Sequence, residues 1–311
     1  MENRKIRIGL IGSQSMHAWA FAKACNEPDQ NGNYRFPNAR VTAVWGVDDT
    51  PEHTRITMEK GRILHMALSL EELYQTCNAF MILQRRGGEH MAFAEKLIKQ
   101  GYPVFIDKPV CCTTEDIRKL RLLAKERDAV ICGGSGFKYN GQIRHLKARI
   151  DGGALGRIRE ASITYSADMD SPYDGIFFYL PHAVEIMLEL FGYEPQSLWT
   201  EVEDHNHFTV HVAYPQYQIH LILNNSKNCL VELLGDREHA EEIDAGDIFV
   251  ENMRNFVTAI EDGRITKDAA PLTAHVRVIL AVKHAMEHKT EMERMSVSQQ
   301  PSVWYIKEDF Q

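Results

Sequence analysis

The sequence predicts an α/β protein: a doubly wound parallel sheet at the N-terminus, followed by an α+β domain with an open-faced, mostly antiparallel sheet. Three observations lead there. Over residues 1–133 short apolar runs alternate with amphipathic stretches, the pattern of buried parallel strands joined by helices. From residue 197 onward apolar residues recur at every second position, the period of a half-exposed sheet. Between these regions Gly133-Gly134-Ser135-Gly136 interrupts both patterns, so the expected domains are 1–133 and 134–311. With 311 residues the chain is long enough for two cores.

Residues 6–11 read as the first buried strand, and Gly12-Ser13-Gln14-Ser15-Met16-His17 as a turn that opens a helix over 18–25. That order places a pyrophosphate on a helix N-terminus. A G-x-G-x-x-G fingerprint started at Gly12 meets Gln14 and His17 where glycines are usual. A side chain at Gln14 crowds the phosphates, whereas Ser13 and Ser15 bring hydroxyl and amide donors. Gly12, Ser13, Gln14 and Ser15 are the candidate phosphate-binding turn.

Residues 26–38 form a polar loop, and 40–46 the second strand. A ribose-binding acid is expected near the end of that strand. Asp48 and Asp49 are the candidates, and either carboxylate favours NAD over NADP by repelling a 2′-phosphate. The competing reading makes them turn residues before a helix that Thr50 caps and Pro51 begins. Ser69 is a further N-cap, and 79–83 the next buried strand. Arg85 and Arg86 follow it; at a strand's carboxyl end they suit a cofactor phosphate or a substrate carboxylate, or simply face solvent.

Helix 91–99 is closed by Gly101, and the strand 104–106 ends in Asp107-Lys108-Pro109. Proline ends the strand because it offers no ladder donor. A lysine there lies where open α/β sheets bind ligands, with Asp107 as its charge partner. A helix from Thr114 to about residue 127 and a strand over 129–132 complete the first domain.

In the second domain a helix over 140–150 precedes a strand over 158–165 and an acidic loop, Asp168 to Gly175. The loop lacks the later bidentate glutamate of a calcium site. It reads as a solvated turn in which Asp174 is a candidate acceptor for polyol hydroxyls. An apolar helix follows, carrying His182 on a face where a histidine is ordinarily packed and hydrogen-bonded. Strands are expected over 199–202, 208–214, 217–223 and 229–234. If Pro215-Gln216 is a turn, His211 and His220 face each other; with no third ligand assured, no metal site is assigned. Residues 247–261 form an amphipathic helix burying Phe249, Met253, Phe256, Val257 and Ile260. A last helix over 273–288 leads to a tail with Trp304 and Tyr305.

The chain is 44% hydrophobic and 25% charged, with a net charge of −8 and no basic block. That argues against nucleic acid or an anionic membrane as partner. The first apolar run is too short for a signal-peptide core or a membrane span, and the six cysteines have no paired spacing. A cytoplasmic protein with reduced thiols is expected.

Asp107-Lys108-Pro109 resembles the Glu-Lys-Pro motif of the glucose-fructose oxidoreductase/inositol dehydrogenase/MocA (Gfo/Idh/MocA) family, and the similarity in order runs from Lys5 to about Met286. The resemblance implies a Rossmann domain followed by a substrate-binding and oligomerisation domain. It implies an NAD(P)-dependent oxidoreductase moving a hydride between nicotinamide and a hydroxyl or keto group of a sugar, polyol or related small molecule. Lys108 then contacts both cofactor and substrate. His90 matches the family's histidine after the fourth strand, and Lys138-Tyr139 resembles its Arg-Phe pair, which makes Lys138 a substrate-binding candidate. His182 falls on the catalytic histidine of the family's Asp-x-x-x-His helix and would act as general base. The aspartate of that pattern is Phe178 here, and Gly46 stands where the ribose acid is usual. Tyr179 and Asp174 are the candidates to replace the missing aspartate. The open sheet implies a homodimer or homotetramer. The alternative is a non-catalytic sensor or scaffold that binds NAD(P) or a sugar on the same fold.

Overall fold

The structure, a computed structural model, describes residues 5–47, 49–226, 228–295 and 304–305. The backbone divides into two units, the first comprising Met1–Cys111, Glu115–Gly136 and Asp247–Leu272. The second comprises Cys112–Thr114, Phe137–Gly246 and Thr273–Gln311.

In the first unit strands and helices alternate: β1 (Ile6–Ile11), α1 (Met16–Asn26), β2 (Ala39–Trp45), α2 (Pro51–Gly61), β3 (His65–Ala67), α3 (Leu70–Thr76), β4 (Ala79–Ile82), α4 (His90–Lys99), β5 (Val104–Ile106), α5 (Thr114–Glu126) and β6 (Ile131–Gly133). The strands lie in the order β3-β2-β1-β4-β5-β6 and every pairing is parallel. Ile8, Leu10, Ile11, Met81, Ile82, Phe105 and Ile106 have no exposed surface, as strands covered on both faces require. Helix starts follow their caps. Ser15, Thr50 and Ser69 each accept a backbone N–H of the helix they precede, and Pro51 occupies the first turn of α2.

The second unit contains α6 (Gly141–Asp151), β7 (Ile158–Ser166), α7 (Leu180–Phe191), β8 (Ser197–Asp204), β9 (His207–Ala213), β10 (Gln218–Asn224), β11 (Cys229–Gly235) and β12 (His239–Ile243). Then come α8 (Ile248–Glu261), in the first unit, α9 (Ala270–Met295) and β13 (Trp304–Tyr305). The sheet runs β12-β11-β7-β10-β9-β8-β13; β7 and β10 pair in parallel and every other pair is antiparallel. Phe208, Val210 and Val212 of β9 are buried and His207, Thr209 and His211 half-exposed, the alternation expected from the sequence.

One sequence expectation is corrected here. The single cut at Gly133/Gly134 misses that residues 247–272 return to the first unit. Val250, Met253, Phe256 and Val257 of α8 share one apolar cluster with Ile8, Phe21 and Phe105, and the Phe105 and Phe256 rings are 5.9 Å apart. Phe256→Ala should therefore destabilise the dinucleotide-type unit by about 3–5 kcal/mol, the usual cost of deleting a buried phenylalanine. Urea unfolding followed by probes in each unit checks this; a loss confined to the second unit would contradict the assignment.

Candidate active site

The site of the first unit begins with two glycines. At Gly12 the backbone is left-handed, with φ +95°, and a Cβ would stand 2.8 Å from the Gln84 nitrogen. At Gly46, just past β2, a Cβ would lie 2.4 Å from Thr54 Oγ1 and 3.2 Å from Ser13 Oγ. A ribose-binding acid therefore has no room at position 46. Asp48 lies outside the described residues. Asp49 takes a well-defined place instead: its Oδ2 accepts a hydrogen bond from Ser13 Oγ at 2.7 Å, and its Oδ1 accepts from the Thr50 N–H at 2.8 Å. His53 Nδ1 lies 2.9 Å from that second oxygen.

Gly12, Ser13, Gln14, Gly46, Asp49 and Arg85 are among the residues that line a cavity of about 190 Å³. The serine hydroxyls were expected to face a phosphate. They turn inward: Ser13 Oγ serves Asp49 and Thr54, and Ser15 Oγ caps α1 by accepting the His17 N–H at 3.2 Å. What the turn offers an anion is its bare backbone and the positive end of α1. Arg85 is half-buried on the same wall, while exposed Arg86 stands 4.0 Å from Glu89.

The lysine motif follows β5 in the same unit. Lys108 is 8% exposed and Asp107 4%. Asp107 Oδ2 lies 2.6 Å from His17 Nδ1, so the loop after β5 is tied to the first turn of α1. Burial pushes the Asp107 carboxyl up, but the charge and hydrogen bond of His17, with Lys108, outweigh it and hold the group below its ordinary range. For Lys108 burial lowers the pKa, Asp107 pulls it up and Arg85 pushes it down again, leaving it below an ordinary lysine. His17, seen in the sequence as a broken glycine motif, is the residue missed; only its spacing to a distant acid could have revealed it, and spacing does not show contact.

Two expected ligand-binding residues are committed elsewhere. His90 has no exposed surface, and its ring nitrogens each lie 2.8 Å from a backbone carbonyl, of Pro109 and of Gln84. It braces the loops after β4 and β5. Lys138 is buried with its Nζ 2.8 Å from Glu185 Oε2, and His275 Nδ1 lies 3.2 Å from the other Glu185 oxygen. The charge expected to meet substrate is spent inside the second unit.

His182 opens the first turn of α7 and is 7% exposed. Its ring lies edge-on to Phe137, with centroids 5.4 Å apart, and 5.5 Å from the Tyr165 ring. Phe178, at the aspartate position, packs against the rings of Tyr173 and Tyr179. Tyr179 accepts the His182 backbone N–H through its carbonyl at 3.0 Å, and Asp174 Oδ2 lies 3.8 Å from Cys112 Sγ. On the sheet, His211 and His220 face each other as expected, their Nδ1 atoms 2.6 Å apart. Among the described residues no group of three or more His, Cys, Asp or Glu is placed to hold a metal ion.

Burial holds His90 below the ordinary imidazole pKa, more strongly than the two carbonyls and Asp107 raise it. An unfolded histidine protonates near ~6.5. The stability this group contributes is thus present above that pH and lost as the pH falls towards the depressed folded value. His90→Gln should flatten the decline in Tm between about pH 7 and 5; an unchanged slope relative to the parent would refute this.

Residues 6–134 match the family model described as "Oxidoreductase family, NAD-binding Rossmann fold". No curated protein matches. Among solved structures, apo scyllo-inositol dehydrogenase from Lactobacillus casei superposes with a TM-score of 0.79 at 13% identity, covering 99% of this chain and 100% of that one. Myo-inositol dehydrogenase from the same organism, in complex with NAD(H) and myo-inositol, gives 0.78 at 15% identity, with 99% and 100% covered. Myo-inositol 2-dehydrogenase from Lactobacillus plantarum gives 0.76 at 12%, with 92% and 98% covered. These likenesses establish a shared fold across both units. The glycine turn, the lysine loop and the sheet order all lie within or beside the matched residues 6–134, so the family likeness is that of the dinucleotide-type unit.

Proposed function

We propose that this protein is an NAD-dependent dehydrogenase acting on a CH–OH group of a sugar, polyol or related small molecule. The single observation that carries the reading is the His17–Asp107 contact, which sets the Lys108 loop against the first turn of the dinucleotide-type helix. The residues present fit a dinucleotide. Any side chain at Gly12 would meet the Gln84 backbone, and the cavity beside it carries Asp49 and Arg85 on its wall. The turn at 12–15 would hold the pyrophosphate, Asp49 the ribose side and Arg85 a phosphate. When bound, the nicotinamide supplies the hydride chemistry. Lys108 polarises the oxygen of the reacting group, and His182 takes the hydroxyl proton as general base. Solved relatives named as inositol dehydrogenases, one of them holding NAD(H) and myo-inositol, support the polyol class.

A second reading, a ligand sensor on the same fold, draws on Phe178, whose aromatic packing leaves no acid in the turn before His182. Calorimetric titration with NAD, NADH, NADP and NADPH separates the two. The NAD pair should bind, and Lys108→Ala should abolish turnover of a polyol while keeping that binding. His182→Asn should slow turnover by about 10²–10⁴, the usual contribution of a general base. Because Lys108 sits below an ordinary lysine, its charged form is lost as pH rises, and activity should fall on the alkaline side before an ordinary lysine would titrate. Absence of dinucleotide binding, or full turnover by Lys108→Ala, would sink the dehydrogenase reading.

No helix among the described residues is long and apolar enough to cross a membrane. We also infer a cytoplasmic homodimer or homotetramer assembled through the exposed face of the second sheet. Light scattering after size exclusion checks it: Thr209→Arg on that face should shift the mass towards one chain, and a monomeric parent protein would exclude the assembly.

A further inference from the structure

The second unit has a cavity of its own, of about 430 Å³. Phe137, Tyr165 and Cys229 form its floor, and Asn228, Glu242 and Asp244 stand exposed at its rim. The two aromatic residues of the floor are those whose rings touch His182. The cavity therefore lies beside the proposed general base, on residues that the family resemblance did not single out.

The rim is built, not incidental. Gln142 Nε2 donates to the Glu242 carbonyl at 3.0 Å, and its Oε1 accepts the Asp244 N–H at 2.9 Å. Asn140 Nδ2 donates to the Asp244 carbonyl at 2.7 Å, so the start of α6 pins the rim from behind. The floor stays uncharged at neutral pH. Burial, then Cys229 and Tyr179, push the Tyr165 phenol up, and burial takes the Cys229 thiol to about 12. Among the described residues no lysine or arginine lines the cavity. Its chemistry is an aromatic floor, two rings 5.8 Å apart and nearly perpendicular, with two acidic residues and an amide at the rim. Glu242 and Asp244 disfavour a phosphorylated sugar or a sugar acid there. Aromatic faces take the C–H side of a polyol ring and attract a cation, and the carboxylates complete an ammonium site.

We propose that this cavity binds an amine-bearing polyol, an amino sugar or aminocyclitol, with its ring against the aromatic floor and its ammonium held by Glu242 and Asp244. The inference deepens the dehydrogenase reading by naming the substrate class, and it rests on that reading for the fate of the bound molecule.

The test is an equilibrium titration of the full chain, without dinucleotide, using glucosamine, N-acetylglucosamine, glucose and glucuronate as probes. Glucosamine should bind about tenfold tighter than glucose, the scale of one favourable cation contact. N-acetylglucosamine, with the same ring and no charge, should bind no better than glucose, and glucuronate should not bind. In the Glu242→Gln/Asp244→Asn double variant, whose exposed changes should leave Tm unaltered, the preference should vanish. Equal binding of glucosamine and glucose, no binding of glucosamine, or a preference that survives the double variant would overturn the proposal. The dinucleotide titration is read separately. Amine selectivity without NAD binding keeps this site and removes the dehydrogenase reading, and NAD binding without amine selectivity does the reverse.

Discussion

A buried carboxylate must find compensating charge or it protonates, and much of the first unit's site follows from how Asp107 meets that demand. Its partners are His17, 2.6 Å away across 90 residues of sequence, and Lys108 beside it. The imidazole also packs edge-on against Phe249, with centroids 5.1 Å apart, so α8 holds the ring that holds the acid. Relative to the family pattern, His17 replaces a small residue and Asp107 a longer acid. The two departures meet in space: aspartate lacks one methylene of glutamate's reach, and the histidine supplies a partner from the opposite side. Taken singly each looks like decay of a motif. Together they form one contact that couples the glycine turn to the lysine loop.

The same logic governs the ribose side. Thr54 and Ser13 crowd Gly46 so closely that no side chain fits, and the described carboxylate beside it is that of Asp49. Its carboxylate is anchored by a hydroxyl, a backbone amide and an imidazole. These donors keep a negative charge affordable in a half-enclosed place. They also fix its direction, which a carboxylate on an unsupported turn would lack.

Local rules in the sequence were enough to place most elements. The strand-helix alternation, the caps at Thr50 and Ser69 and the opposition of His211 to His220 depend on neighbours a few residues away or on a strict period of two. The return of residues 247–272 did not show, because an apolar stripe on α8 says that a face is buried and not which unit buries it. β3 and β12 escaped for another reason: His65-Met66-Ala67 is too short to show a period, and His239-Ala240-Glu241-Glu242-Ile243 is too charged to resemble a core strand. At the site, the positions of Lys108 and Asp107 were legible because a strand end and a proline announce them. The burial of His90 and the pairing of Lys138 with Glu185 were not, since residue type alone does not distinguish a charge aimed at a ligand from one spent on the fold.

That distinction explains how a chain of net charge −8 can present two sites of opposite character. Net charge describes the far field, whereas binding reads only the groups that line a cavity within a Debye length or less. In the first unit a helix N-terminus and Arg85 bring positive groups to a cavity that Asp49 also lines, despite the acidic whole. In the second unit Lys138 is paired with Glu185, and the opposite charges largely cancel at a distance. With that lysine withdrawn, Glu242 and Asp244 set the sign of the neighbouring cavity. The burial of one ion pair thus changes what the surface beside it can accept.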